Sequence, residues 1–486
     1  MDKLLSQSTA PFFEEIRRYA GKPLKAFHTP GHKAGLNWDQ DWLDFQLLAG
    51  LDLTEIPAVD WQGSLALAEQ LAAEFYEADQ SFFLVQGASQ GILALIAGAF
   101  HPGDKVLVSR NCHISVIHAI VLADLVPLFL ETPFLKEWGI PAAMPEQSLQ
   151  QTLVLHPDCK GIILTNPTYQ GIAGNLTGLR KIIGERLLIV DEAHGGYLEW
   201  VGLKGFDAHS YADAWVQGTH KMLGSLTQTG MLHLRCGRID AERVQRALAL
   251  ITTTSPSYIL LASLDCNRRF LAMKGKAMFE AKTQAILAYK QEMAGLGSLQ
   301  VLDNERLSAD NAIDPWKLCL SFKNMGFSGY RVEEILRTEF NIQVEYADFN
   351  QVTLFFAPWQ EESDLRELRE AMKLICSRSG SDQFNIEFPR EVPPLMMRPR
   401  EAALGPGCWI NLSKAAGRIS ADLIAPYPPG IPLIAPGEMI REKEIELIQL
   451  VLQNGGIVRG VSPKEEIRVT NYGWQMTDEK RIFYNS

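Results

Sequence analysis

The sequence predicts an α/β fold built on a largely parallel sheet, and three observations carry that prediction. Between Leu65 and Leu234, short apolar runs alternate with stretches of helical period, the arrangement of strand–helix crossover units. The apolar runs lack in–out alternation, as in strands buried on both faces. Two of them, Leu187–Val190 and Ala214–Gln217, end in residues able to do chemistry, where open α/β sheets bind their ligands.

Taken in order, residues 1–60 read as an N-terminal arm, with a short helix over Pro11–Ala20 and a Pro/Gly-interrupted loop over Phe27–Gly35. His28 and His32 in that loop have metal-ligand spacing, but Pro30 and Gly31 break the helix that would align them, so a loop role is expected. Seven strands follow: Phe82–Gln86, Lys105–Val108, Val126–Leu130, Gly161–Thr165, Leu187–Val190, Ala214–Gln217 and Gly230–Leu234. Helical period falls between them at Leu65–Tyr76, Ser89–Phe100, Ser115–Asp124, Gln147–His156 and Leu176–Gly184. A long helical stretch over 256–294 bridges to a smaller α+β part. Its strands are expected at Leu318–Phe322, Gln343–Tyr346 and Thr353–Ala357, with helices at Gly329–Glu339 and Glu361–Cys376. A linker at 377–382 opens a C-terminal part marked by Pro393-Pro394 and a proline-rich run over 426–436. The expected domains are 1–60, 61–255, 256–380 and 381–486, in keeping with a length of 486 residues.

Composition narrows the class. Apolar residues at 47% and charged residues at 21% are those of a soluble globular chain. A net charge of −11 opposes nonspecific nucleic-acid binding and suits a cationic ligand. Seven cysteines with no Cys-x-x-Cys pair exclude a zinc ribbon or disulfide framework and suit a reducing compartment. The N-terminus lacks the pattern of a signal peptide, and the longest apolar stretches, 91–100 and 116–130, are too short or too interrupted to span a bilayer. A cytoplasmic protein without membrane or nucleic-acid partners is expected.

Asp191-Glu192-Ala193-His194 follows one buried run and Gly218-Thr219-His220-Lys221 another, so an acid and an amine reach one sheet edge. An acid that keeps a ring nitrogen protonated and a lysine that forms a Schiff base are what pyridoxal phosphate asks of a protein. The rival reading of Asp191–His194, an ATPase signature, needs a phosphate loop with a lysine. Gly87-Ala-Ser-Gln-Gly91 has none. That turn follows a strand and opens a helix, so it reads as an anion site or as an ordinary βα turn.

Those segments, with Asn166-Pro-Thr-Tyr-Gln-Gly171, Phe27-His-Thr-Pro-Gly-His-Lys33, Arg110-Asn-Cys-His113 and Pro426-Tyr-Pro-Pro-Gly-Ile-Pro432 with Pro436-Gly-Glu438, resemble the Orn/Lys/Arg decarboxylases. This is a branch of the aminotransferase-like (fold type I) pyridoxal-phosphate enzymes, and the pattern is most similar to the short biosynthetic arginine decarboxylases of bacteria. The resemblance implies an aminotransferase-like domain with a mainly parallel seven-stranded sheet, a smaller α+β domain and a C-terminal decarboxylase domain. It makes Lys221 the lysine that holds pyridoxal 5'-phosphate, sets Asp191 against the ring nitrogen and stacks His113 on the ring. Ala88, Ser89 and Gln90 then lie at the phosphate, with His220 also beside the cofactor and Asn166 near the ring hydroxyl. His194 orients the reacting groups or moves protons, and Glu438 meets the cationic end of the substrate.

Plainer readings stand beside these. Asn166 suits a turn before proline, His194 a structural hydrogen bond and Glu438 a surface turn. Four positions depart from the family's usual residues: Ala88 for Thr, Ile114 for Lys, Tyr197 for His and Gly218 for Ser. The implied function is decarboxylation of a basic L-amino acid in polyamine biosynthesis, with arginine to agmatine first. Lysine or ornithine decarboxylation, or an inactive regulatory paralogue, are the alternatives. An aminotransferase or other lyase of the same fold is disfavoured by the 426–432 segment. No metal is implied. A homodimer or higher homo-oligomer is, and so is the lack of the N-terminal domain that acid-stress relatives add.

Overall fold

The computed structural model describes residues 6–20, 50–54, 56, 63–382, 391–427 and 430–471. The loop with His28 and His32 lies outside them, as do Pro428 and Pro429 of the proline-rich run.

Seven strands form the main sheet: β1 (Gln80–Leu84), β2 (Lys105–Ser109), β3 (Val126–Leu130), β4 (Gly161–Thr165), β5 (Leu187–Asp191), β6 (Ala214–Gln217) and β7 (Gly230–Leu234). Their order is β1-β7-β6-β5-β4-β2-β3. The pairs β2–β3, β2–β4 and β5–β6 are parallel, while β7 runs antiparallel to both neighbours. β6 and β7 are buried at every position, as unbroken apolar runs require. β1 begins two residues before the apolar run Phe82–Gln86 suggests and ends earlier. Gln86 donates its amide to Gln90 Oε1 (3.1 Å), and Gly87 turns the chain at φ +73°, so the ladder cannot continue.

By contact the chain divides into two units, residues 1–99 with 189–281, and 100–188 with 282–486. In the first unit, α1 (Pro11–Ala20), α2 (Ser64–Phe75) and α3 (Gly87–Ala99) join β1 and β5–β7. The arm expected at the N-terminus carries core residues, because Phe12 and Ile16 of α1 are fully buried. Asp265 accepts from the amides of Phe12 and Phe13 and pairs with buried Arg268 at 2.7 Å, which closes the open N–H groups of α1. α3 packs on α7 (Ala241–Ile251) with no side chain between: a Cβ on Gly98 would meet Val244 Cα at 2.5 Å. α8 (Tyr258–Phe270) runs through a π-helical turn at Leu271–Gly275 into α9 (Lys276–Ala294), the long helix expected over 256–294.

In the second unit, α4 (Ile114–Ala123), α5 (Glu146–Leu155) and α6 (Leu176–Ile183) accompany β2, β3 and β4. A smaller sheet contains β8 (Gln300–Val301), β9 (Lys317–Ser321), β10 (Tyr346–Ala347) and β11 (Val352–Phe355), ordered β8-β9-β11-β10 and antiparallel throughout. It is flanked in sequence by α10 (Gly329–Phe340) and α11 (Glu362–Cys376). β8 is one strand more than the sequence suggests, since two residues carry no period. The C-terminal part has its own core, including Leu412, Ile424, Ile434, Ile440, Ile448 and Val469, beneath α12 (Glu442–Gln453). All seven cysteines are free thiols. Among the described residues, no helix is long and apolar enough to cross a membrane.

Candidate active site

In the first unit the parallel register of β5 and β6 sets Asp191 opposite Val216, so both strands release their ends at one edge. Glu192 N continues the ladder to the Val216 carbonyl (2.9 Å), and the chain then turns through His194. β6 passes through Gly218 into a short helix, Thr219–Met222, that carries Lys221. Lys221 Nζ lies 2.9 Å from His194 Nε2. The amine is exposed, whereas the imidazole is only 6% exposed.

Asp191 is 3% exposed, and its Oδ1 accepts from Ala193 N at 3.1 Å. Burial pushes its carboxyl up, while the Lys221 ammonium and the Ala193 amide draw it back down. A carboxylate so placed is most at ease opposite a cation. His220 Nδ1 is 2.6 Å from the Thr229 carbonyl, which can only accept, so that nitrogen carries the proton.

The Gly87–Gly91 turn reaches the same edge. A Cβ on Gly230 would meet Gln217 O at 2.7 Å and Ala88 N at 3.1 Å, so the Ala88 amide and the end of β6 converge on that glycine. Ala88 and Ser89 supply first-turn N–H groups of α3 that its helix cannot use. Gln90 differs from its expected place at the phosphate: its Oε1 accepts from Gln86 and its Nε2 donates to Thr252 Oγ1 at 2.6 Å. Both ends of that amide serve the fold.

The departures have local causes. A Cβ on Gly218 would lie 3.0 Å from Ala193 O and 3.2 Å from Lys221 Cδ, so glycine leaves the lysine stem room. Tyr197 is 1% exposed and stacks on Phe279 with ring centroids 4.8 Å apart, a core aromatic.

In the second unit His113 caps α4. Its Nδ1 accepts from Ser115 N (3.2 Å) and lies 2.8 Å from Ser115 Oγ, which pins the ring at the helix start. Ile114 beside it is buried. Asn166, 2% exposed, accepts at Oδ1 from Gly174 N at 2.7 Å, just past the end of β4.

Glu438 corrects the sequence expectation. It is fully buried and receives Arg110 Nη1 at 2.7 Å, Arg110 Nη2 at 2.8 Å and Ala435 N at 2.6 Å. Burial pushes its carboxyl up and Arg110 pulls it down. Its cation is therefore Arg110, and no open carboxylate is presented to a substrate. Arg110 also donates to the Leu433 carbonyl and sits 4.8 Å from the Phe129 ring centroid. The motif that contains Arg110 is visible in the sequence, but a partner 328 positions away is not.

The chain matches the family model described as Orn/Lys/Arg decarboxylase, major domain, over residues 10–364, and that family's C-terminal domain over 390–456. An arginine decarboxylase of Bacillus subtilis (strain 168) is 35% identical over 472 residues, covering 94% of this chain and 96% of the relative. The constitutive lysine decarboxylase of Escherichia coli superposes with a TM-score of 0.82 at 20% identity, over 96% of this chain and 82% of that one. An alanine–glyoxylate aminotransferase from Nostoc sp. superposes with a TM-score of 0.53 at 17% identity, over 64% of this chain and 86% of that one. The two structural likenesses show an aminotransferase-like fold.

Proposed function

On the premise that the chain belongs to the Orn/Lys/Arg decarboxylase family, we propose that this decarboxylase of a basic L-amino acid takes arginine and forms agmatine and carbon dioxide. Its cofactor in this reading is pyridoxal 5'-phosphate. The observation that carries it is the Lys221–His194 contact of 2.9 Å at the edge where buried Asp191 ends β5.

The donor set fits that cofactor: an amine for its aldehyde carbon, a buried carboxylate for a protonated ring nitrogen and free amides of α3 for its phosphate. When bound, the cofactor supplies an electron sink for the pair left at Cα as carbon dioxide departs. Lys221 anchors it, and His194 Nε2 accepts the proton that Nζ must lose before the amine becomes a nucleophile. The same imidazole nitrogen can return a proton. Asp191, oriented by Ala193 N, would supply the carboxylate for a protonated ring nitrogen, whose charge would favour the anionic form. His113, pinned by Ser115, offers a ring face for stacking, and Asn166 a side-chain amide for the ring hydroxyl.

The 35% identity to a named arginine decarboxylase, against 23% to the constitutive lysine decarboxylase of Escherichia coli, supports arginine as substrate. A cytoplasmic location, a place in polyamine biosynthesis and a homodimer or higher oligomer belong to the same reading. So does the four-part division at 60, 255 and 380, which the separate match over 390–456 supports at its last boundary. Release of carbon dioxide from arginine, lysine and ornithine by the purified chain supplied with the cofactor tests it. Fastest release from arginine is expected. Cofactor binding with no release from any of the three would identify a regulatory paralogue, the alternative that the departures at Ala88, Ile114, Tyr197 and Gly218 raise and that the retained Lys221, Asp191 and His113 oppose.

A further inference from the structure

The second unit contains a partly open cavity of about 140 Å³. Much of its wall is aromatic, from Tyr330, Tyr346, Phe349 and Tyr427. Asn111 and Gln170 also line it and are 7% and 1% exposed. Among the described residues, Gln170 Oε1 has no hydrogen-bond partner. Neither has Asn111 Oδ1, whose amide nitrogen donates to the Ala142 carbonyl at 3.4 Å. A buried acceptor left without a donor is costly, and only an N–H or O–H group brought to it can relieve that cost.

Charge on the wall has one prevailing sign. Arg110 is there, but Glu438 already neutralises it. Glu391 and Glu444 are paired with Lys443 and Arg441. That leaves Glu131, which takes the Val392 amide, and Asp348, whose carboxyl burial pushes up while the Tyr346 hydroxyl and the Asn350 and Gln351 amides draw it back down. Such a wall repels phosphate and carboxylate and attracts a cation. The faces of Tyr330 and Tyr346 add attraction for a cation and cover a carbon chain, while Tyr427 already carries the Arg459 guanidinium 4.3 Å from its ring centroid.

We propose that this cavity binds the cationic end of an aliphatic guanidine or amine, its N–H groups donating to the amide oxygens of Gln170 and Asn111 and its methylenes lying along the tyrosines. The cation has two possible sources. It is the side chain of the reaction's own substrate, in which case the assignment rests on the proposed decarboxylation, or it is a separate regulatory amine.

The probe is butylguanidinium, which has no primary amine to react with the cofactor, and its neutral control is butylurea. Calorimetry with the full chain loaded with pyridoxal phosphate should show butylguanidinium binding at least tenfold tighter than butylurea. Gln170→Met should weaken butylguanidinium roughly tenfold to a hundredfold, the worth of a hydrogen bond to a charged donor. Gln170→Glu should tighten it, a gain that misfolding cannot imitate. Competition with arginine in the decarboxylation assay assigns the cavity to the substrate side chain, whereas inhibition or activation without competition assigns it to a separate amine. Absence of binding, or equal affinity in wild type, Gln170→Met and Gln170→Glu, overturns the proposal. Binding is read without turnover, so a chain that binds the probe yet releases no carbon dioxide sinks the reaction and not the site.

Discussion

Lys221 is the residue on which the reading turns, and its removal has a readout that folding does not share. Lys221→Ala should abolish the visible absorbance of covalently held cofactor and the fixing of cofactor to the 219–222 segment by borohydride. Carbon dioxide release should fall by several orders of magnitude. A reducible adduct that survives the change would move the anchor to another amine. Beside the site, Glu192 makes a different prediction. It is 2% exposed, and burial pushes its carboxyl from 4.5 up to about 8 against the pull of the Ala208 amide and the Gln217 side chain. A carboxyl held above its unfolded value stabilises the fold fully below about pH 4.5, and that contribution is lost as pH rises towards 8. Glu192→Gln removes the slope, and with the Gln217 amide turned end for end its new N–H can donate to Gln217 Oε1, which has no partner among the described residues. Thermal melts of the apoprotein should therefore favour the variant more at pH 8 than at pH 5, and the reverse order would sink the idea.

Among elements, α3 and α7 meet at Gly98, where a Cβ would press on Val244 Cα and on Val244 N at 2.8 Å. Backbone cannot yield as a side chain does, so Gly98→Ala should destabilise the first unit by about 1–3 kcal/mol, read as a lower denaturation midpoint. An unchanged midpoint would mean that the helices separate freely. Elements of this kind are where sequence reading works well. β2 to β7 stand within a residue or so of their apolar runs, because continuous burial leaves a local mark. β1 is displaced because its end is decided by the Gln90 side chain, four residues beyond Gln86. At the candidate site, the meeting of Asp191, His194 and Lys221 is legible from two strand ends, since the pairing of β5 with β6 brings those ends to one edge. Gln90 and Glu438 are not. A glutamine in a phosphate-like turn has the same neighbours in sequence whether it faces Thr252 or a ligand.

For the molecule as a whole, the Arg110–Glu438 pair ties the end of β2 to the loop before α12. Breaking a buried ion pair from one side costs about 3–5 kcal/mol, because the other charge stays buried. Glu438→Gln should lower the denaturation midpoint accordingly, any rise in KM for arginine coming together with that loss of stability. A raised KM at full stability would instead restore Glu438 to the substrate. The pair also sets an order of events during synthesis. Arg110 leaves the ribosome 328 residues ahead of Glu438, which at 5–20 residues per second is a delay of roughly 16–66 s. Through that interval the Glu438 carboxylate is not yet there to meet the guanidinium. A chain cut short before residue 438 would lack the carboxylate that the Arg110 guanidinium pairs with.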